Sequence, residues 1–138
     1  PIGEMGTEAR AKAVRHARQE YAGAFERFAV GKSSLRAIRD LVAICHEEGI
    51  RVAFFIPPVS PSFRASFHPG IYSEGEAAVQ ALGRRLRAPV FPAPRDMADD
   101  EFLDGHHMLR PGAERYSRWL GENYIRPWIE EPATGGER

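Results

Sequence analysis

The residues best equipped for chemistry lie near the C-terminal end, in Phe102-Leu-Asp-Gly-His-His107. An aspartate three residues before a histidine can turn its carboxylate to the imidazole Nδ1–H. That bond holds the tautomer whose Nε2 carries a lone pair and serves as a base. Asp104 and His107 thus have the types and spacing of the orienting half of a Ser-His-Asp triad. The same pattern describes a polar loop whose aspartate caps a helix, so the spacing leaves both readings open. His106 is expected to point away from His107 and to be a solvated or rim residue, a candidate for touching substrate. Asp104, His106 and His107 also carry zinc-type donors. They lack a fourth ligand and a His-x-x-x-His pair, so neither a metal nor another cofactor is expected.

A second candidate group follows the apolar run Val52-Ala-Phe-Phe-Ile56. Ser60 stands where a strand-end nucleophile or substrate contact would stand, although a serine beside prolines is also a common turn residue. Arg64 is placed to clamp an anionic group or simply to meet solvent. His68 is a candidate cleft residue in a Pro-Gly turn, and Trp119 and Trp128 have rings suited either to a sugar or to a core. Asp96, Asp99 and Asp100 form an acidic loop that is solvated or holds a cation.

These residues need elements to position them. Val14, Ala17, Tyr21, Ala24, Phe25 and Phe28 recur at helical spacing and predict one helix over Glu8–Phe28. A serine of Gly31-Lys-Ser-Ser34 is expected to cap a second helix bearing Leu35, Ile38, Leu41, Val42 and Cys45, with Gly49 ending it. The solid apolar run Val52–Ile56 predicts a strand buried on both faces of a parallel sheet, stopped by Pro57-Pro58. A loop to Tyr72 follows, then a helix opened by a Ser73/Glu76 capping box, with Val79, Leu82 and Leu86 inward. Pro89–Pro92 falls where the next parallel strand belongs. Pro111 suits the first turn of a last helix carrying Ala113, Tyr116 and Leu120, and Pro127 breaks or kinks it. The order predicts an α/β fold with right-handed crossovers. Two or three short strands make a thin sheet, so N-terminal strands are expected either upstream of Pro1 or from another chain.

Composition narrows the function classes. The 138 residues suit one domain, 43% hydrophobic and 28% charged. Residues 1–132 are expected to form it, with 133–138 a flexible tail. Nineteen basic residues balance nineteen acidic ones without a basic face, which argues against a nucleic-acid partner. The longest apolar run is far short of the ~20 residues that span a bilayer, so no transmembrane segment is expected. A single cysteine, Cys45, excludes an internal disulfide. The start at Pro1, without Met or a signal-like pattern, reads as processed or truncated.

An apolar strand ending in Pro-Pro, a helix, a short strand, Phe-x-Asp-x-x-His and then Gly112-Ala113 resembles the C-terminal half of the SGNH hydrolases, the GDSL esterase/lipase family. The likeness runs over about residues 33–125. The stretch Phe102–Ser117 looks most like members grouped with polysaccharide O-acetyltransferases. The resemblance implies a three-layer α/β/α, flavodoxin-like sheet, with Asp104 and His107 as catalytic residues and a small-molecule or carbohydrate ester as substrate. Many members act outside the cytoplasm. The family's Gly-Asp-Ser block and its oxyanion-binding glycine and asparagine are absent from this chain. The nucleophile is therefore expected upstream, and the chain alone is expected to be inactive, paired with that segment or in a homo-oligomer. The alternative is a non-catalytic α/β module that binds carbohydrate or a partner chain.

Overall fold

The computed structural model describes residues 7–131. The expected tail at 133–138 and the reading of Pro1 lie outside the described residues. Helix α1 spans Thr7–Glu20 and α2 spans Ala22–Glu26, so the single helix expected over 8–28 is broken at Tyr21. The Ala24 N–H bonds to the Tyr21 carbonyl three residues back (2.8 Å), a tightened turn. The break swings Phe25 against Phe63 and Phe67, with ring centroids at 5.2 and 4.8 Å. Tertiary packing here overrides an unbroken helical period.

Helix α3, Lys32–Glu47, is capped by Gly31 rather than by a serine. An N-cap needs extended backbone, which Gly31 has (φ −63°, ψ 135°), whereas Ser33 and Ser34 already lie within the first turn. Val42 is its buried residue, Leu35, Ile38 and Cys45 are half-buried, and Leu41 faces out. At its end the Gly49 N–H bonds to the His46 carbonyl and the Ile50 N–H to the Cys45 carbonyl, closing the helix in a Schellman turn.

Strands β1 (Phe54–Phe55) and β2 (Val90–Phe91) pair in parallel, Phe54 opposite Val90 and Phe55 opposite Phe91. The parallel pairing agrees with the sequence pattern, but the strand predicted over 52–56 does not. Only two residues join the ladder, and Phe55 is 55% exposed rather than buried on both faces. Among the described residues β1 has one neighbouring strand, and burial in a sheet depends on neighbours.

The expected loop to Tyr72 contains a short helix, α4 (Pro61–Arg64), built on Ser60 as N-cap with Pro61 in its first turn. Helix α5, Ile71–Leu86, starts two residues before Ser73, with Gly70 as N-cap. The Ser73/Glu76 box therefore does not form, and Ser73 Oγ instead donates to the Gly70 carbonyl (2.8 Å). A 3-10 turn at Asp99–Glu101 leads into the site loop, followed by α6, Arg110–Leu120, with Pro111 in its first turn and Tyr116 and Leu120 buried. A π-helical stretch, Gly121–Ile125, precedes α7, Arg126–Glu130, so Pro127 falls in a restarted helix. The Arg51 guanidinium donates to the carbonyls of Trp128, Ile129 and Glu131, neutralising the C-terminal end of α7.

The fold is thus mostly helical around a small parallel pair of strands, with two apolar cores. One joins Phe91, Met97, Phe102, Tyr116 and Leu120, flanked by Trp119, Tyr124 and Trp128. The other joins Ala17, Phe25 and Phe63, flanked by Val59 and Phe67. Trp119 and Trp128 therefore serve packing. Among the described residues no helix is long and apolar enough to cross a membrane.

Candidate functional site

The site is a closed loop carried between β2 and α6. Phe102 pairs with Met108 in an antiparallel bridge, the Leu103 N–H bonds to the His107 carbonyl (2.8 Å), and the Leu109 N–H to the Glu101 carbonyl (2.8 Å). Phe102 anchors the loop in the first core at 1% exposure. At the tip, Gly105 adopts φ 103°, and a Cβ there would lie 2.7 Å from Phe63 Cβ. Both the conformation and the close approach require glycine. The Gly105 carbonyl accepts from the Ser60 N–H (2.7 Å), which ties together the loops that follow the two strands.

Within this frame Asp104 is buried and receives three hydrogen bonds. Its Oδ1 accepts from the backbone N–H groups of His107 (2.8 Å) and His106 (3.2 Å), and its Oδ2 lies 2.7 Å from His107 Nδ1. Burial pushes the Asp104 carboxyl up, but the His107 ring and the two backbone donors outweigh it and hold the group below the usual carboxylate range. An ionised Asp104 makes Nδ1 the protonated nitrogen of His107. The His107 side chain is 66% exposed, so Nε2 is the nitrogen open to a reactant.

His106 contradicts the expectation of a solvated or rim residue. Its side chain is only 18% exposed and packs against the rings of Tyr21 (4.9 Å), Phe63 (5.3 Å) and His107 (4.0 Å). The left-handed turn at Gly105 reverses the chain and folds His106 inward. Its Nδ1 lies 3.3 Å from Asp104 Oδ1, close enough for Coulomb attraction but misaligned for a hydrogen bond. Burial depresses the His106 pKa, helped by His107 and opposed by Asp104 and Glu20.

The other candidates separate. Ser60 is 1% exposed, and its hydroxyl accepts from the Phe63 N–H (3.2 Å) and contacts Ser62 Oγ (3.2 Å), so it caps α4. Ser60 meets the site only through its backbone. Arg64 is half-buried over the ring of Tyr72 (4.9 Å), and no contact joins it to Asp104 or His107. His68 is exposed. Two of the three aspartates of the acidic loop are engaged within the protein: Asp99 Oδ1 accepts from the Ser62 N–H (3.0 Å), and Arg115 donates to Asp96 as well as to Glu101, while Asp100 is exposed. The hydrogen bonds from Ser62 hold Asp99 below the usual carboxylate range.

Gly105, Phe63 and Tyr21 are the positioning residues that sequence reasoning did not single out. An Asp-Gly pair inside Asp-x-x-His was the available sign of a left-handed turn. Asp104, His106 and His107 offer metal-ligating atoms within 4.8 Å of one another, a three-donor set that leaves a tetrahedral ion one ligand short. Beyond Phe67 opens an apolar cleft of about 590 Å³, lined by Phe28, Ile56, Val59, Ile71 and Val79 among others. No family model, curated protein or solved structure matches the chain.

Proposed function

We propose that this chain supplies the histidine and aspartate of an SGNH-like serine esterase or O-acyltransferase, on a three-layer α/β/α, flavodoxin-like scaffold of which β1 and β2 are part. The observation that carries the reading is the 2.7 Å bond between a buried Asp104 carboxylate and Nδ1 of an exposed His107. His107 Nε2 takes the proton of a serine hydroxyl as that oxygen attacks an ester carbonyl, then returns it to the departing alcohol. Asp104 holds the tautomer and balances the charge of the imidazolium. Water, or a sugar hydroxyl in a transferase, releases the acyl group from the serine. Among the described residues no hydroxyl is hydrogen-bonded to His107, and Ser60 is committed to its cap. The serine in this reading comes from outside these residues, and the 138-residue chain alone is inert toward esters.

The test is hydrolysis of an aryl acetate by the complete gene product that carries this chain. His107→Ala should lower kcat by roughly 10³-fold or more with the fold intact, and Asp104→Asn by roughly 10²-fold to 10⁴-fold. Turnover unchanged in His107→Ala would remove the histidine from the chemistry and leave a binding module as the better account.

A further inference from the structure

In open α/β sheets, ligands bind in the crevice beyond the carboxyl ends of neighbouring strands. A second cleft of about 290 Å³ occupies that place here, between the segment after β1 and the segment after β2. Its walls include Val59, Pro61, Pro94 and Met97, whose side chains offer no strong hydrogen-bonding or charged group, and two guanidinium groups line it, Arg64 and Arg95. Arg64 Nε is buried without a hydrogen-bond partner, and no carboxylate lies within ion-pair distance of Arg64 among the described residues. Its guanidinium lies 4.9 Å from the ring centre of Tyr72 and also faces the Tyr72 hydroxyl, a neutral partner that leaves its charge unbalanced. Arg95 is 75% exposed and sits 3.6 Å from Glu76, so its charge is only loosely balanced. A half-buried cation with an orphaned donor beside apolar walls is costly unless an anion completes it. Guanidinium groups match the two-oxygen edge of a carboxylate or phosphoryl group.

We propose that the Arg64–Arg95 cleft is a binding site for the oxyanion group of a small ligand, a phosphoryl or carboxylate group. Arg64 is its anchor and Arg95 its movable second contact. The site does not depend on the role proposed for His107, because it binds an ion and performs no reaction. Calorimetric titration of the 138-residue chain at low salt with inorganic phosphate and, separately, with malonate tests it. Saturable binding of one equivalent with a Kd in the millimolar range or tighter is expected. Arg64→Gln should weaken it about tenfold or more, because a charge-assisted bond to a half-buried group is lost. Arg95→Gln should weaken it about threefold, as expected of an exposed charge. Arg110→Gln, in an exposed pair with Glu114, should leave it unchanged. Binding of phosphate alone marks a phosphoryl ligand and of malonate alone a carboxylate ligand; either outcome supports the site. No saturable binding of either anion, or equal weakening in all three variants, overturns it. Amide NMR of the unaltered chain decides the matter without any variant: shifts centred on Ala65, Arg95 and Met97 support the site, and shifts centred elsewhere reject it.

Discussion

The two cores are closed in different ways, and the candidate site straddles them. The core around Phe102 draws all its buried members from residues 91–120, a nearly continuous stretch of chain, with Trp119, Tyr124 and Trp128 as cover. The core around Phe63 joins Ala17 and Phe25 of the two N-terminal helices to Phe63, a distant residue of α4, through edge-to-face ring contacts, and leaves Tyr21 (37%) and Phe28 (39%) partly exposed. Asp104 and His107 belong to the loop that Phe102 anchors. Gly105 and His106 lean on Phe63. The Asp104–His107 pair is therefore held by local structure, and its inner neighbour His106 by distant structure.

The strongest way to break this difference is at Phe102. Phe102→Ala empties a fully buried site and should cost about 3–5 kcal/mol by denaturant unfolding. A loss below about 1 kcal/mol would mean that the first core does not carry the loop. Gly105→Ala acts on the other side. The added methyl meets Phe63 in a left-handed turn, and a loss of about 1–3 kcal/mol is expected. Combining it with Phe63→Gly should give less than the sum of the two single losses, since that variant lacks both the Cβ and the ring carbons that the added methyl meets. Strict additivity would show that Phe63 is not what Gly105 avoids.

A smaller effect separates His106 from Asp104 by pH. The folded His106 pKa lies below its unfolded value of about 6.5, so the unfolded chain binds the proton first. This group's contribution should fall as pH drops through about 6.5 toward the folded value. Asp104 behaves differently: its folded pKa is depressed, so its contribution is full above the unfolded value of about 3.9 and is lost as pH falls through the folded one. Unfolding curves between pH 7 and 5 should therefore be flatter in His106→Gln than in the unaltered chain. Equal slopes would place His106 in solvent.

The same distinction explains what could be read from residue order. Asp104 and His107 lie three residues apart in one loop, so their contact follows from spacing, as do Pro111 at the start of α6 and Gly49 at the end of α3. The burial of His106 depends on Tyr21 and Phe63, which lie 85 and 43 residues away in sequence, and no local pattern carries that. The break at Tyr21 and the exposure of Phe55 have the same origin: each is decided by what packs alongside. Ser60-Pro61 holds a local sign of a helix start, a capping residue followed by proline, within the segment expected as a loop. Ser73 and Glu76 had capping-box spacing, but the Pro69-Gly70 turn placed the helix start ahead of them.

The 2.7 Å approach of Asp104 Oδ2 to His107 Nδ1 requires the ring to carry its proton on Nδ1 and leave Nε2 free. Nitrogen-15 NMR of the imidazole rings in the 138-residue chain at neutral pH reads this directly, and it requires no nucleophile. In the neutral form of the His107 ring the proton should sit on Nδ1, and that preference should be lost in Asp104→Asn. A neutral ring protonated on Nε2, or the same tautomer balance with and without the Asp104 carboxylate, would contradict it.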